Sequence, residues 1–145
     1  MTSQREKDPA HCALADALTV LGDRWSLLVV RDVLRGINRF DSLQDSLHIA
    51  RNILTQRLSS LEQAGILVKS PIKPNGKRMC YNPTPKCLGL LPVLVSLIEW
   101  TTDWSGEDQK RWSKVIDKKT GEQVKVGIVD KDNRPVPMTQ IGIKF

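Results

Sequence analysis

Apolar residues recur at spacings of three and four over the first two-thirds of the chain, interrupted by single glycines and acidic residues. Leu14, Ala17, Leu18 and Leu21 predict a first helix from Cys12 to Leu21, closed by Gly22. Asp23 is placed to cap a second helix, RWSLLVVRDVLR, which ends at Gly36 and turns Trp25, Leu28 and Val29 to the core. Asp41 is placed to cap a short third helix, SLQDSL, with Leu43 and Leu47 inward. Three residues, His48-Ile49-Ala50, join it to a fourth helix that starts at Arg51 and ends at Gly65. At 100° per residue, Ile53, Leu54, Leu58, Leu61 and Ala64 of that helix share an arc of about 140°. Arg51, Asn52, Thr55, Gln56, Ser59 and Gln63 take the other side. A short helix, a tight turn and a second helix with a polar outer face predict a helix-turn-helix.

The pattern then changes. Ile66 to Lys73 reads as a strand, Pro74-Asn75-Gly76-Lys77 as a turn whose Asn-Gly suits a tight hairpin, and Arg78 to Asn82 as the returning strand. Thr84-Pro85 starts another helix, expected to run to about Trp104 with Pro92 kinking it. That helix is apolar nearly all round, Leu91, Leu94, Ile98 and Trp100 included, so a second subunit is expected to cover it. Farther on, Val115-Ile116, then Val124, Val126 and Ile128, then Ile141, Ile143 and Phe145 alternate with polar residues. The turn-rich segments Asp117–Gly121 and Asp130–Pro135 separate them, which predicts a three-stranded antiparallel appendage. The expected fold is mainly α with a β wing (α+β): a winged helix-turn-helix plus a small C-terminal antiparallel β appendage. Residues 1–11 are expected as a flexible lead-in, 12–104 as a winged-helix domain for DNA binding and dimerisation, and 105–145 as a β-strand extension.

Side-chain chemistry suggests what the fourth helix faces. A plain solvated face carries Glu and Lys, whereas this one offers groups that both donate and accept hydrogen bonds, as a DNA major groove requires. Taken alone it also fits an ordinary surface helix. The neighbouring hairpin holds Lys69, Lys73, Lys77 and Arg78 and no acid, where a solvated tip would mix signs. The chain carries a net charge of +6. Residues 24–86 contain eleven Lys and Arg against four Asp and Glu, so the excess lies around this helix and hairpin. Base contacts are expected from Arg51, Asn52, Thr55, Gln56 and Ser59. Ser42 on the third helix is expected to touch DNA as well, and Lys73, Lys77 and Arg78 to touch phosphates. Arg57 lies at the edge of the apolar arc and is expected to hold the domain together or to reach a phosphate at most.

Other classes find little support. There is no CxxC, HExxH, GxSxG or Gly-rich phosphate loop, and His11 and His48 are far apart. Cys80 and Cys87 flank a helix start without further ligands, so no metal and no cofactor are expected. An enzyme is the weakest reading. Nothing resembles a signal peptide or an apolar run of membrane-spanning length, and three unpaired Cys suit the cytoplasm. Cys12 opens the first helix, a position that favours a thiolate, and His11 lies beside it. Two readings of it stand: a redox sensor, or a small buried packing residue.

Four segments carry a family resemblance: CALADALTVLGDRWSLLVVRDVLRGINRFDSLQDSL, IARNILTQRLSSLEQAGIL, the basic hairpin ending in Tyr81, and LGLLPVLVSLIEWTTDW. Together they resemble the HxlR-type winged-helix transcription regulators, relatives of the MarR group, over roughly residues 12–104. The resemblance implies a homodimer that binds double-stranded operator DNA. The dimer would form through the first and last helices of that region, with Leu14, Leu18, Leu91, Leu94, Ile98 and Trp100 in the interface. It further implies that Cys12 stands where some members sense oxidants or electrophiles, so an oxidant or a small ligand is the expected inducer. A DNA-binding module with no sensor of its own is the alternative. Tyr81-Asn82-Pro83-Thr84 departs from the family's Tyr-x-Leu-Thr, and Pro83 is expected to end the second wing strand early.

Overall fold

Helices and one hairpin order the chain from Cys12 onward. The computed structural model describes residues 12–105 and 114–143; the expected lead-in, His11 and Phe145 lie outside them. Two compact units divide the chain between Leu90 and Leu91. The first holds α1 (Ala13–Leu21), α2 (Ser26–Leu34), α3 (Phe40–Leu47), α4 (Arg51–Gln63), β1 (Leu67–Pro71), β2 (Met79–Pro83) and α5 (Pro85–Leu88). Its core is Val29, Val30 and Val33 of α2, Leu43 and Leu47 of α3, and Leu54, Leu58 and Leu61 of α4. Ile49, Ile66, Leu67 and Tyr81 join them. Each such side chain contributes about 1.5–3 kcal/mol by leaving water. Trp25 and Leu28 are only half-buried. The helix starts at Ser26, so its inward phase runs through residues 26, 29, 30 and 33 instead.

The ends of these helices follow from single residues. Asp23 caps α2 from three residues upstream, its Oδ1 accepting from the N–H groups of Trp25 (2.8 Å) and Ser26 (3.0 Å). Asp41 does not cap α3. Arg39 holds that position, because Asn38 and Arg39 are pinned to β2: Tyr81 N–H donates to the Asn38 carbonyl (2.8 Å), and Arg39 bridges Cys80. Asp41 falls inside the first turn, where a negative charge still suits the helix dipole. Gly65 ends α4 at φ +70°, and the Gly65 and Ile66 N–H groups close the last turn on the carbonyls of Glu62 and Leu61. Between α3 and α4 there is no glycine; His48 itself takes the left-handed conformation (φ 50°). That costs roughly 1–2 kcal/mol, which burial of Ile49 next to it offsets.

The wing is a two-stranded antiparallel sheet in the register Leu67↔Pro83 to Pro71↔Met79. Its turn is Lys73–Gly76, one residue earlier than expected. Asn75 sits at φ 58° and Gly76 N–H donates to the Lys73 carbonyl (2.8 Å), an arrangement that Pro74 favours by fixing φ. β2 does not end early: Pro83 is its last residue, where the missing donor falls at the strand end. The single long helix expected from Pro85 to Trp104 is broken at Gly89-Leu90. Pro92 does not kink a helix but sits in the first turn of a new one, where no N–H is required.

The second unit begins with this helix, α6 (Leu91–Trp104), which buries Val95 and exposes Val93, Leu97, Trp100 and Trp104. No helix among the described residues is long and apolar enough to cross a membrane. The expected three-stranded appendage is instead two β-bridged turns, Ile116↔Gln123 and Val129↔Pro135, followed by one 3-10 turn at Met138–Gln140. Asp117 and Asp130 organise the turns by accepting from backbone N–H groups two to four residues on. A ladder does not extend because Pro135 and Pro137 lack donors and Val124, Val126 and Ile128 stay exposed, leaving no buried face to hold a sheet. Val126 N–H donates to Glu99 of α6 at 3.3 Å.

One buried charge ties α2 to α3. Asp32 is fully buried and accepts from Arg31 Nε (2.8 Å), Arg35 Nη1 (3.4 Å) and Ser46 Oγ (2.6 Å). Burial pushes its carboxyl up, but the bonds from Arg31 and Ser46 and the charges of Arg31 and Arg35 outweigh that and hold it below its usual 3.8. The lowered value makes its stabilisation fully present above about pH 4 and lost as pH falls through the folded-state value. Asp32→Asn is expected to cost on the order of 3 kcal/mol at neutral pH. It is also expected to flatten the fall in melting temperature between about pH 5 and about pH 2. Thermal melts across that range check both.

Candidate nucleic-acid interface

Leu54, Leu58 and Leu61 bury one side of α4, so its other side is set outward. Arg51, Asn52, Thr55, Gln56 and Ser59 are all exposed there, as the periodicity requires. Thr55 Oγ1 donates to the Arg51 carbonyl (2.9 Å), which leaves its lone pairs free, and Gln63 donates to Ser59 Oγ at 3.5 Å. Asn52 and Gln56, one turn apart, carry both donor and acceptor outward. The Arg51 guanidinium lies over the Phe40 ring, 4.7 Å from its centroid.

Ser42 is exposed in the first turn of α3, and Lys73, Lys77 and Arg78 are exposed in the wing turn. Lys69 lies over the Tyr81 ring at 5.8 Å. α3, α4 and the wing enclose a cleft of about 450 Å³, lined by Arg39, Phe40, Asp41, Ser42, Arg51 and Arg78, among others. A second cleft of about 420 Å³ includes Arg39, Lys73 and Arg78. Ser42, Arg51 and Arg78 are thus brought together, while Asn52, Thr55, Gln56 and Ser59 form a separate row along the helix. Arg39 was missed from sequence. It stands one residue before a helix, where periodicity says nothing about direction, and only its bridge to β2 turns it to the cleft.

Arg57 faces the body of the domain. Its Nη1 meets Asp23 Oδ2 at 3.1 Å, joining α4 to the turn between α1 and α2. Ser26 Oγ donates to the same carboxylate oxygen. Burial pushes Asp23 up, and the bonds from Ser26, from the Trp25 and Ser26 backbone and from Arg57 together hold it below its usual value.

Cys12 is half-buried at the start of α1, where its Sγ accepts from the Ala15 N–H at 3.4 Å. Cys80 is half-buried in β2 against Ser70, and Cys87 is buried in α5, where burial pushes its thiol up. All three are free thiols. On α1, Leu14 and Leu18 are exposed. On α6, Leu91 and Trp100 are exposed and Leu94 and Ile98 half-buried.

A helix-turn-helix whose second helix shows a polar outer face, followed by a basic hairpin, defines the class: a transcription regulator of the winged-helix type. The chain belongs to the HxlR-like helix-turn-helix family, which it matches over residues 20–109. The HTH-type transcriptional regulator YvaP of Bacillus subtilis is 32% identical over 89 residues, covering 61% of this chain and 82% of YvaP. The chain spans little more than half, 56%, of the length of the mycobacterial regulators it also matches. The crystal structure of PA1607, a candidate transcription factor, is 31% identical and superposes with a TM-score of 0.83 over 94% of this chain and 96% of that one. Quinone-bound YodB from Bacillus subtilis is 25% identical, with a TM-score of 0.56 over 65% of this chain and 100% of its own.

Arg57→Ala removes the link between α4 and the α1–α2 turn and leaves the other partners of Asp23 in place. A loss of about 1.5 kcal/mol in urea unfolding is expected.

Proposed function

We propose that the protein is a sequence-specific DNA-binding regulator that acts as a homodimer. The observation that carries this reading is the row Asn52, Thr55, Gln56 and Ser59 on the outer face of α4, exposed and acid-free, next to an acid-free hairpin. Such side chains match the hydrogen-bonding edges of base pairs in the major groove. Lys73, Lys77 and Arg78 then meet phosphates and set orientation rather than sequence. Dimerisation is supported by the exposed apolar residues of α1 and α6: Leu14 is 67% exposed and Trp100 66%, which is unusual for a monomer. A two-fold axis presents two α4 helices to half-sites one turn of DNA apart, about 34 Å. This reading implies a cytoplasmic protein.

Regulation by a thiol rests on Cys12, and the existence of a quinone-bound YodB makes quinones the first inducers to try. One observation favours the alternative of a module without a sensor: the Cys12 sulfur already has a structural task, accepting the Ala15 N–H at the helix start.

Operator selection from a random duplex pool tests the main reading. Asn52→Ala and Gln56→Ala are expected to relax base preference by about 1–3 kcal/mol per lost contact. Lys77→Ala is expected to weaken all sequences alike and to lower the salt slope by about 0.9 per half-site. Unchanged preference across alanine variants of the whole row would refute base readout by α4. Sedimentation at micromolar concentration is expected to show a dimer. Quinone treatment is expected to lower operator affinity in the wild type and not in Cys12→Ser; equal responses would leave Cys12 as a packing residue.

A further inference from the structure

Arg39, Arg51 and Arg78 reach the same cleft from three different elements. Arg39 precedes α3, Arg51 opens α4 and Arg78 follows the wing turn. All three are exposed, and among the described residues none has a carboxylate within ion-pair distance. Arg31, Arg35, Arg57 and Arg134 each do. Asp41 also lines the cleft, so three positive charges there face one negative charge. Like charges gathered without counter-ions are unfavourable, and an anion entering the cleft relieves them.

The cleft is also pre-arranged. Arg51 is stacked on Phe40, which covers one face of its guanidinium and leaves the N–H edge open. Arg39 is fixed to the wing by its bridge to Cys80 and by the adjacent Asn38–Tyr81 hydrogen bond. No side chain caps α3, whose first-turn residue Ser42 opens on the same space. A guanidinium fork matches the geometry of phosphate oxygens. The stack over Phe40 ties the Arg51 side chain to the first residue of α3.

We propose that this cleft is a phosphate clamp, in which Arg39, Arg51 and Arg78 grip one backbone phosphate of the DNA duplex in each half-site. Arg51 is then a positioning residue and not a base reader, and Arg39 is a DNA contact. One phosphate held by α3, α4 and the wing together fixes the register of all three on the duplex. The clamp rests on the DNA-binding reading above and deepens it.

The test uses the full chain and the duplex recovered by selection, with single phosphates replaced by neutral methylphosphonate. In the wild type, one position per half-site is expected to cost about tenfold in affinity when neutralised. Arg39→Ala, Arg51→Ala and Arg78→Ala are each expected to weaken binding and to shrink the penalty of that same replacement, which the variant lacking all three no longer shows, with base preference unchanged. A variant lacking all three arginines is expected to lower the salt slope by about 0.9 per half-site; three separate phosphate contacts would lower it by about 2.7. Arg51→Lys keeps the charge but not the fork, and is expected to bind more weakly than wild type. The clamp is overturned if no single phosphate matters, if the three variants map to different phosphates, or if Arg51→Ala changes a preferred base. A wild-type chain that retains no duplex overturns the DNA-binding reading itself, and the clamp with it.

Discussion

Burying a carboxylate costs several kcal/mol unless its lone pairs are filled, and the carboxylate of Asp32 is fully buried. It is satisfied only when Arg31 of α2, Arg35 just after that helix and Ser46 of α3 all reach it. Apolar packing between α2 and α3 would allow several orientations; a charge that must find these partners allows few. The position of α3 in turn sets where Phe40 lies, and Phe40 carries Arg51 at the head of α4. A second polar link, Asp23 to Arg57, holds α4 against the turn that precedes α2. α4 is thus held by the Asp23–Arg57 ion pair as well as by its leucines.

Much of this was legible in the sequence because its cause is local. The leucine spacing of α4, the glycine after it and the presence of a wing turn near Asn75 each depend on residues within a few positions. The exposed row of Asn52, Thr55, Gln56 and Ser59 follows from the same periodicity. What was not legible depends on distant partners. Asp32 looks like a surface residue between two arginines until Ser46 is folded onto it. Arg39 acquires a direction only through Cys80, far along the chain. The effect of Pro92 depends on where a helix starts, and α6 starts one residue before it. The C-terminal alternation does not make a sheet, because alternation does so only where something covers one of its faces.

That last segment separates this chain from some of its relatives. The likeness to PA1607 extends over 94% of the chain, whereas the likeness to YodB covers 65%. α3, α4 and the wing lie within residues 20–109, the part that matches the family. The Asp-organised turns at Asp117 and Asp130 lie beyond that match.

The pairing of Asn38 and Arg39 with β2 bears on the thermodynamics of association. A hairpin attached only at its base would flutter in the free protein and lose that freedom on the DNA, lowering net affinity by the entropy of ordering it. Here the hairpin is joined to the segment entering α3, so much of that ordering is complete when the domain folds. In the proposed complex, binding would be the docking of a preformed surface that newly covers little apolar area. Its heat-capacity change is expected to be small compared with that of regulators whose wings or arms fold on the duplex.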